Sequence, residues 1–143
     1  MDNDLEIKRI LEENRTIAVV GLSRDTTKDS FKVAKYMKDH YYHIIPINPF
    51  VDEVLGEKCY KSLFDLPEEL MKTVEVVDIF RPSSEVPTIM DQAIQLKEKY
   101  RNLHVVWMQL GIRNEEAAQK GRDAGLTVII DRCIKIEHRK LIK

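Results

Sequence analysis

A loop of hydroxyl-bearing and cationic side chains follows the first apolar run of the sequence. The run Thr16–Val20 ends at Gly21, and the polar segment that follows includes Ser23, Arg24, Thr26 and Lys28. Glycine permits a tight turn and a close approach of backbone to a ligand. The free N–H groups of the helix expected to follow point at the same space, so this segment suits a pyrophosphate. A solvated loop stays open as the alternative, because one glycine without the full GxGxxG pattern is a weak signal.

Candidate ligand-binding residues also follow the other apolar runs. Asn48–Pro49 ends the second run, Phe80–Pro82 the third and Gln109–Gly111 the fourth. In an open parallel sheet, ligands bind beyond the carboxyl ends of the strands. NAD-binding folds place an Asp or Glu at the end of the second strand. Asn48 stands near that position, which weakens the case for NAD and leaves NADP and coenzyme A open.

The side chains that could perform catalysis lack the partners that catalysis requires. Asp78 lies inside an apolar run, and a position near a sheet edge or a pair with Arg81 or a backbone amide is favoured over a catalytic base. Ser23 has neither a GxSxG context nor an evident His–Asp pair. Cys133 is interpreted as a small buried side chain rather than a reactive thiol. The sequence predicts no catalytic residue and no metal site, and it leaves open whether the chain is an enzyme.

Five apolar runs alternate with helical patterns along the 143 residues. This alternation predicts an α/β fold with a parallel sheet, right-handed crossovers and helices on both faces. Asn3 and Asn114 are predicted N-caps, as are Asp29 or Ser30 and Ser83 or Ser84 in two further helices. The length suits a single domain over residues 1–143. The predicted strands are Thr16–Val20, His43–Ile47, Val74–Phe80, Leu103–Trp107 and Leu126–Ile130.

Composition narrows the classes of partner. The formal net charge is -1, so the chain has no overall field to attract nucleic acid or an anionic membrane. No apolar run approaches the roughly 18 residues of a membrane span, and residues 1–13 lack the apolar stretch of a signal peptide. Cys59 and Cys133 lie far apart without a CxxC partner. Two free thiols indicate a cytoplasmic protein. The near-neutral charge and the absence of a long apolar run predict no nucleic-acid partner and no membrane partner.

Five sequence segments, taken in order, resemble the small stand-alone CoA-binding proteins and the N-terminal domain of the succinyl-CoA synthetase α subunit. These segments are Gly21–Ser23, Ile45–Pro49, Phe80–Pro82, Val106–Gly111 and Asp131–His138. The resemblance runs from about Thr16 to about His138. It implies a Rossmann-like, three-layer α/β/α domain with a five-stranded parallel sheet, which holds coenzyme A or an acyl-CoA at the carboxyl ends of the strands.

The resemblance also implies individual contacts with coenzyme A. Residues Ser23 to Thr26 would meet its phosphates, and a groove would be lined by Phe80, Arg81, Pro82, Met108, Gln109 and Leu110. In the synthetase, a phosphorylated histidine in a second domain carries the catalysis. This chain is expected to lack that domain, so the catalytic step is not carried over.

One stretch departs from the pattern of the family. Related sequences often place a lysine shortly after the proline that corresponds to Pro49, where it can meet a phosphate, whereas this chain has Phe50 and Val51. Lys58 or Lys28 are candidate substitutes. The favoured function is a CoA-binding carrier, sensor or regulatory module. The alternatives are a small NADP-linked oxidoreductase, which would need a second element such as a homodimer partner, and an interaction protein with a vestigial cofactor site.

Overall fold

A five-stranded parallel sheet forms the centre of the molecule. The computed structural model describes residues 3–142, so residues 1, 2 and 143 of the predicted domain lie outside the described chain. The strands are Thr16–Val20 (β1), His43–Ile47 (β2), Glu53–Val54 (β3), Glu57–Lys58 (β4), Val76–Ile79 (β5), Val105–Met108 (β6) and Thr127–Ile129 (β7). The helices are Asp4–Glu13 (α1), Asp29–Asp39 (α2), Glu68–Met71 (α3), Val86–Tyr100 (α4), Glu115–Asp123 (α5) and Ile134–Leu141 (α6).

Helices cover both faces of the sheet. Side chains of α1, α2 and α6 pack with one face, where Ile7, Met37 and Trp107 share a cluster. Side chains of α4 and α5 pack with the other face, where Met90, Ala118 and Met108 share a second cluster. Strands buried on both faces read as continuous apolar runs. The predicted three-layer α/β/α architecture is therefore confirmed.

The strand order places a change of direction at the centre of the sheet. The order is β2-β1-β5-β6-β7, with every neighbouring pair parallel. From β1 the chain moves outward to β2, and it then crosses to β5 on the other side of β1. The loops after β1 and β5 consequently diverge from adjacent strands, which opens a crevice at their carboxyl ends.

Three predicted strands are longer than the observed ones. Val74, Leu103 and Leu126 are buried, yet they precede β5, β6 and β7 rather than belonging to them. Apolar patterning records burial, and these side chains pack in the core without strand pairing. Pro46 lies within β2, and the strand tolerates it because β2 is the terminal strand of the five-stranded sheet. A bridge between Ile47 and Tyr60 adds a short extension beyond β2.

Helix caps follow the prediction where the cap is local. Asn3 and Asn114 cap α1 and α5 through their side-chain oxygens. The prediction of Asp29 or Ser30 as the cap of α2 is wrong: Lys28 occupies that position, and Ser30 Oγ instead accepts a hydrogen bond from Ser23 N at 3.0 Å.

The predicted cap of α4 is also wrong. Glu85 stands before α4, after a short 3-10 turn at Ser83–Glu85. Ser83 Oγ accepts from Arg113 N at 3.0 Å. This serine therefore fastens the loop after β6 rather than capping its own helix. Near the end of the chain, Ile134–Leu141 forms α6, whose last turn carries His138, Arg139 and Lys140.

Candidate functional site

Gly21 lies where the carboxyl ends of β1 and β5 meet. Its φ is 91°, in the region that favours glycine. A Cβ there would lie 2.8 Å from Arg81 Cδ and 3.2 Å from the carbonyl carbon of Phe80. The structure thus brings together Gly21, Phe80 and Arg81, and it requires glycine for the close approach.

Local hydrogen bonds shape the loop between β1 and α2. Ser23 N donates to Ser30 Oγ, and Asp25 N donates to Ser23 Oγ at 3.0 Å. Thr27 donates to Asp25 through its backbone and its hydroxyl, and the backbone bond is the main reason that the pKa of Asp25 falls below its usual value. These bonds hold the loop beside the amino end of α2, where free N–H groups favour an anion.

The side chains of Arg24, Thr26 and Lys28 are exposed on this loop. Within residues 3–142, neither Arg24 nor Lys28 takes part in an ion pair. Their charges are therefore open to an anion that approaches the loop. None of the three side chains lines either of the two cavities described next.

The first cavity, here called the β2-side cavity, has a volume of about 420 Å³. It opens beside Gly21, and its lining includes Asn48, Pro49, Phe50, Lys61 and Arg81. Asn48 holds one wall in place, because its Nδ2 donates to Leu22 O at 3.0 Å and its Oδ1 accepts from Phe50 N at 2.9 Å.

The cations near the β2-side cavity differ in availability. Arg81 donates to both carboxylate oxygens of Glu85, at 3.1 and 2.7 Å, so its charge is already compensated. Lys61 is exposed at the cavity and takes part in no ion pair among the described residues. Lys58 instead lies over the Tyr60 ring at 5.3 Å and lines a separate cavity.

The second cavity, here called the α2–α6 cavity, lies between those two helices and has a volume of about 380 Å³. Phe80, Gln109 and Leu110 line it from the strand ends, and Cys133 lines it at the start of α6. The two cavities therefore lie on opposite faces of the sheet, both at the carboxyl ends of its strands. Gly21 lines the β2-side cavity and Phe80 lines the α2–α6 cavity.

A buried polar pair lies beneath the α2–α6 cavity. Gln109 is 3% exposed and Asp78 is 2% exposed, and Gln109 Nε2 donates to Asp78 Oδ1 at 2.7 Å. Burial raises the pKa of Asp78 to about 7, against the opposing hydrogen bond from Gln109. The predicted placement of Asp78 near an edge, or paired with Arg81 or a backbone amide, is wrong, because β5 is central and Gln109 is the partner.

Three predicted contact residues lie apart from both cavities. Met108 is 0% exposed in the core under α4 and α5, and its side chain lines neither cavity. Gly111 is exposed, and its amide donates to Asp131 Oδ1 at 2.6 Å. Pro82 is exposed ahead of the turn into α4. Neither Gly111 nor Pro82 lines the cavities.

His138 has a packing role between α2 and α6. It is buried, and its Nδ1 lies 2.8 Å from Tyr36 Oη. Its ring also contacts those of His40 and Tyr42. Burial is the main cause that lowers the pKa of His138. Among residues 3–142, no group of three or more His, Cys, Asp or Glu side chains is placed to hold a metal ion.

The two cysteines are expected to differ sharply in reactivity. Cys59 is buried, and burial raises the pKa of its thiol. Cys133 is half-buried at the α2–α6 cavity, which corrects its interpretation as a buried side chain. Iodoacetamide on the native protein should modify Cys59 at least about tenfold more slowly than Cys133, since the thiolate is the nucleophile. Peptide mass spectrometry measures both rates, with protein in urea as the control; equal rates in the native protein would contradict the assignment.

The sequence predicts no membrane span. Within residues 3–142, no helix has both the length and the apolar character that are needed to cross a membrane.

The chain is similar to known proteins over most of its length. The pattern of the family described as "CoA binding domain" matches residues 15–139. The uncharacterized protein YneT of Bacillus subtilis is 41% identical over 133 residues, which cover 93% of this chain and 92% of YneT. An ADP-forming acetate–CoA ligase of Methanocaldococcus jannaschii is 35% identical over 89 residues, which cover 62% of this chain but only 12% of the ligase.

Solved structures show the same fold over nearly the whole chain. A hypothetical protein from Pyrococcus horikoshii has a TM-score of 0.89 and 37% identity, covering 99% of this chain and 94% of its own. A protein from Thermus thermophilus has a TM-score of 0.87 and 34% identity, covering 99% of this chain and 100% of its own. Together with the family match over most of the sequence, these relatives show that the chain belongs to the CoA-binding domain family.

Proposed function

We propose that this chain binds coenzyme A, free or acylated, across the crevice, and acts as a carrier, sensor or regulatory module rather than as an enzyme. The observation that carries the proposal is the pair of cavities at the carboxyl ends of the strands, with the loop after Gly21 beside them. An elongated ligand with a charged centre and two arms matches this arrangement.

The loop after β1 supplies the groups for the pyrophosphate. Ser23 and Thr26 offer hydroxyl donors, Arg24 and Lys28 offer cations, and α2 offers its amino end. One arm of the ligand would enter the β2-side cavity between Pro49 and Lys61. The other arm would pass Gln109 and Leu110 into the α2–α6 cavity.

The described residues give little support for catalysis. Ser23 Oγ already accepts from Asp25 N, and no histidine is bonded to it among residues 3–142. Asp78 is buried beneath Gln109. The activity of the acetate–CoA ligase is not carried over, because this chain matches only 12% of its length.

A comparison of four ligands tests the proposal. A ligand at 100 times its dissociation constant should stabilise the fold by about 2.7 kcal/mol, so CoA, dephospho-CoA, NADP and NAD are compared by thermal unfolding. A shift with CoA that falls with dephospho-CoA supports the proposal. A shift with NADP alone would favour an NADP-linked oxidoreductase, and no shift with any ligand would favour an interaction protein with a vestigial site.

Lys61 is proposed to take the place of the phosphate-binding lysine that Phe50 and Val51 displace. Lys61→Ala should weaken the binding of CoA by about 1.5–3 kcal/mol, the usual range for a hydrogen bond to a charged group. Dephospho-CoA should be affected much less if Lys61 meets the 3′-phosphate. Calorimetric titration measures both affinities, with Lys58→Ala as the control because Lys58 faces another cavity. If Lys61→Ala weakened the binding of CoA and dephospho-CoA equally, Lys61 would not be the residue that contacts the 3′-phosphate.

The two free thiols also support a reducing compartment, and we propose the cytoplasm. The CoA site proposed here uses residues of one chain, and a homodimer is not required for it. Sedimentation of the protein with and without CoA measures whether ligand binding changes the oligomeric state.

A further inference from the structure

The α2–α6 cavity carries an uneven distribution of charge. Three cationic side chains line it, Lys32 from α2 and Lys135 and Arg139 from α6, against one acidic side chain, Asp29. Within residues 3–142, none of the three cations forms an ion pair. Most other cations on the same two helices are engaged elsewhere: Lys35 pairs with Asp39 at 2.8 Å and Lys140 with Asp4 at 3.2 Å.

Apolar side chains line the same cavity as the cations. They are Val33, Phe80, Leu110 and Ile136. Its volume of about 380 Å³ lies within the range of small-molecule sites. The pantetheine arm of coenzyme A ends in a thiol, and an acyl group joined to that thiol would extend the ligand further along the cavity. The cavity thus fits a short apolar chain that ends in an anion.

Gln109 adds a hydrogen-bonding group to the lining of the cavity. Its Nε2 donates to Asp78 Oδ1, which fixes the carboxamide at the cavity. A carboxamide has two N–H donors and one carbonyl oxygen, so this bond leaves hydrogen-bonding capacity for the carbonyl or amide groups of a ligand.

We infer that the α2–α6 cavity receives the acyl group of a thioester of coenzyme A, and that its unpaired cations select acyl groups that end in a free carboxylate. The inference rests on the proposed CoA-binding function and names the ligand class for that site. The pyrophosphate of the ligand belongs to the loop after β1, where Arg24 and Lys28 are available. Lys135 lies over the Tyr36 ring at 5.6 Å, so Lys32 and Arg139 are the cations assigned to the carboxylate.

Two thioesters of equal chain length separate charge from size. Succinyl-CoA and butyryl-CoA both carry four-carbon acyl groups, but only the first ends in a carboxylate. Calorimetric titration of the full chain should give an affinity for succinyl-CoA about tenfold higher than for butyryl-CoA, since charge-assisted bonds in a partly enclosed site are strong. In Lys32→Ala/Arg139→Ala this ratio should fall close to one, while the affinities for butyryl-CoA and CoA stay within about twofold of the original.

A matched variant controls for the loss of net charge. Lys35→Ala/Lys140→Ala removes two cations from the same two helices outside the cavity, and it should keep the tenfold ratio. Equal affinities of the original protein for the two thioesters would overturn the inference while leaving CoA binding intact. If Lys32→Ala/Arg139→Ala weakened the binding of all three ligands equally, the inference would also be overturned, because the two cations would then bind CoA itself. Failure of every ligand to bind would end the proposed function and this inference together.

Discussion

Replacing Trp107 by alanine should lower the free energy of unfolding by about 3–5 kcal/mol, the cost of removing a large buried aromatic side chain. Trp107 is 0% exposed on β6 and packs with Ile129 and Ile134 under α1, α2 and α6. Its Nε1 also donates to Arg132 O at 2.8 Å. Truncation would therefore leave a cavity and remove this hydrogen bond close to the start of α6.

Urea unfolding followed by far-ultraviolet circular dichroism measures this loss, because the variant has no tryptophan for fluorescence. Trp107→Phe is the matched control: it retains most of the ring volume and removes the N–H, so its loss should be smaller. Leu5→Ala, at a side chain that is 71% exposed, should change stability by less than about 0.5 kcal/mol. A loss below about 1.5 kcal/mol for Trp107→Ala would contradict the described packing.

Raising the pH through neutrality should destabilise the protein through Asp78. Its pKa is about 7 in the folded state and about 3.9 in an unfolded chain. The stability contributed by the neutral carboxyl is fully present below about pH 3.9 and is lost as the pH rises through about 7, because only the unfolded state ionises freely over that window. From pH 5 to pH 8 the loss should amount to about 2–3 kcal/mol, at 1.36 kcal/mol per pH unit.

Asp78→Asn isolates this contribution from every other titrating group. Asparagine retains the size of the side chain and an oxygen that can accept from Gln109, but it does not ionise. The free energy of unfolding of the variant, relative to the original protein, should therefore rise by about 2–3 kcal/mol between pH 5 and pH 8. Urea unfolding at several pH values measures the difference. A constant difference across this range would show that Asp78 titrates at an ordinary pKa.

The fold was predictable because its signals are local. Thr16–Val20 and His43–Ile47 are continuous apolar runs that became parallel strands with the predicted bounds. Asn114 caps the helix that starts directly after it. Ser30 was misassigned because its hydroxyl accepts from Ser23, seven residues earlier, and no local pattern distinguishes that bond from an N-cap.

The candidate site was less predictable, since it depends on contacts between distant segments. Lys61 reaches the β2-side cavity because the hairpin of β3 and β4 returns the chain to the end of β2. The spacing from Pro49 carries no sign of this return. The Asp78–Gln109 pair joins two strands through their register, with Asp78 opposite Trp107 on β6. The pattern of apolar residues along a strand indicates which face of the sheet a side chain lies on, but it does not indicate which residue lies beside it on the neighbouring strand.

Both outer edges of the sheet are obstructed against further strands. Pro46 brings no N–H to the edge of β2, and its carbonyl already accepts from Tyr60 N at 3.0 Å. At the opposite edge, Arg122 donates to Val128 O at 3.1 Å. Exposed strand edges are the usual templates for sheet-to-sheet aggregation. Copies of the chain are therefore hindered from associating by adding strands to either side of the five-stranded sheet.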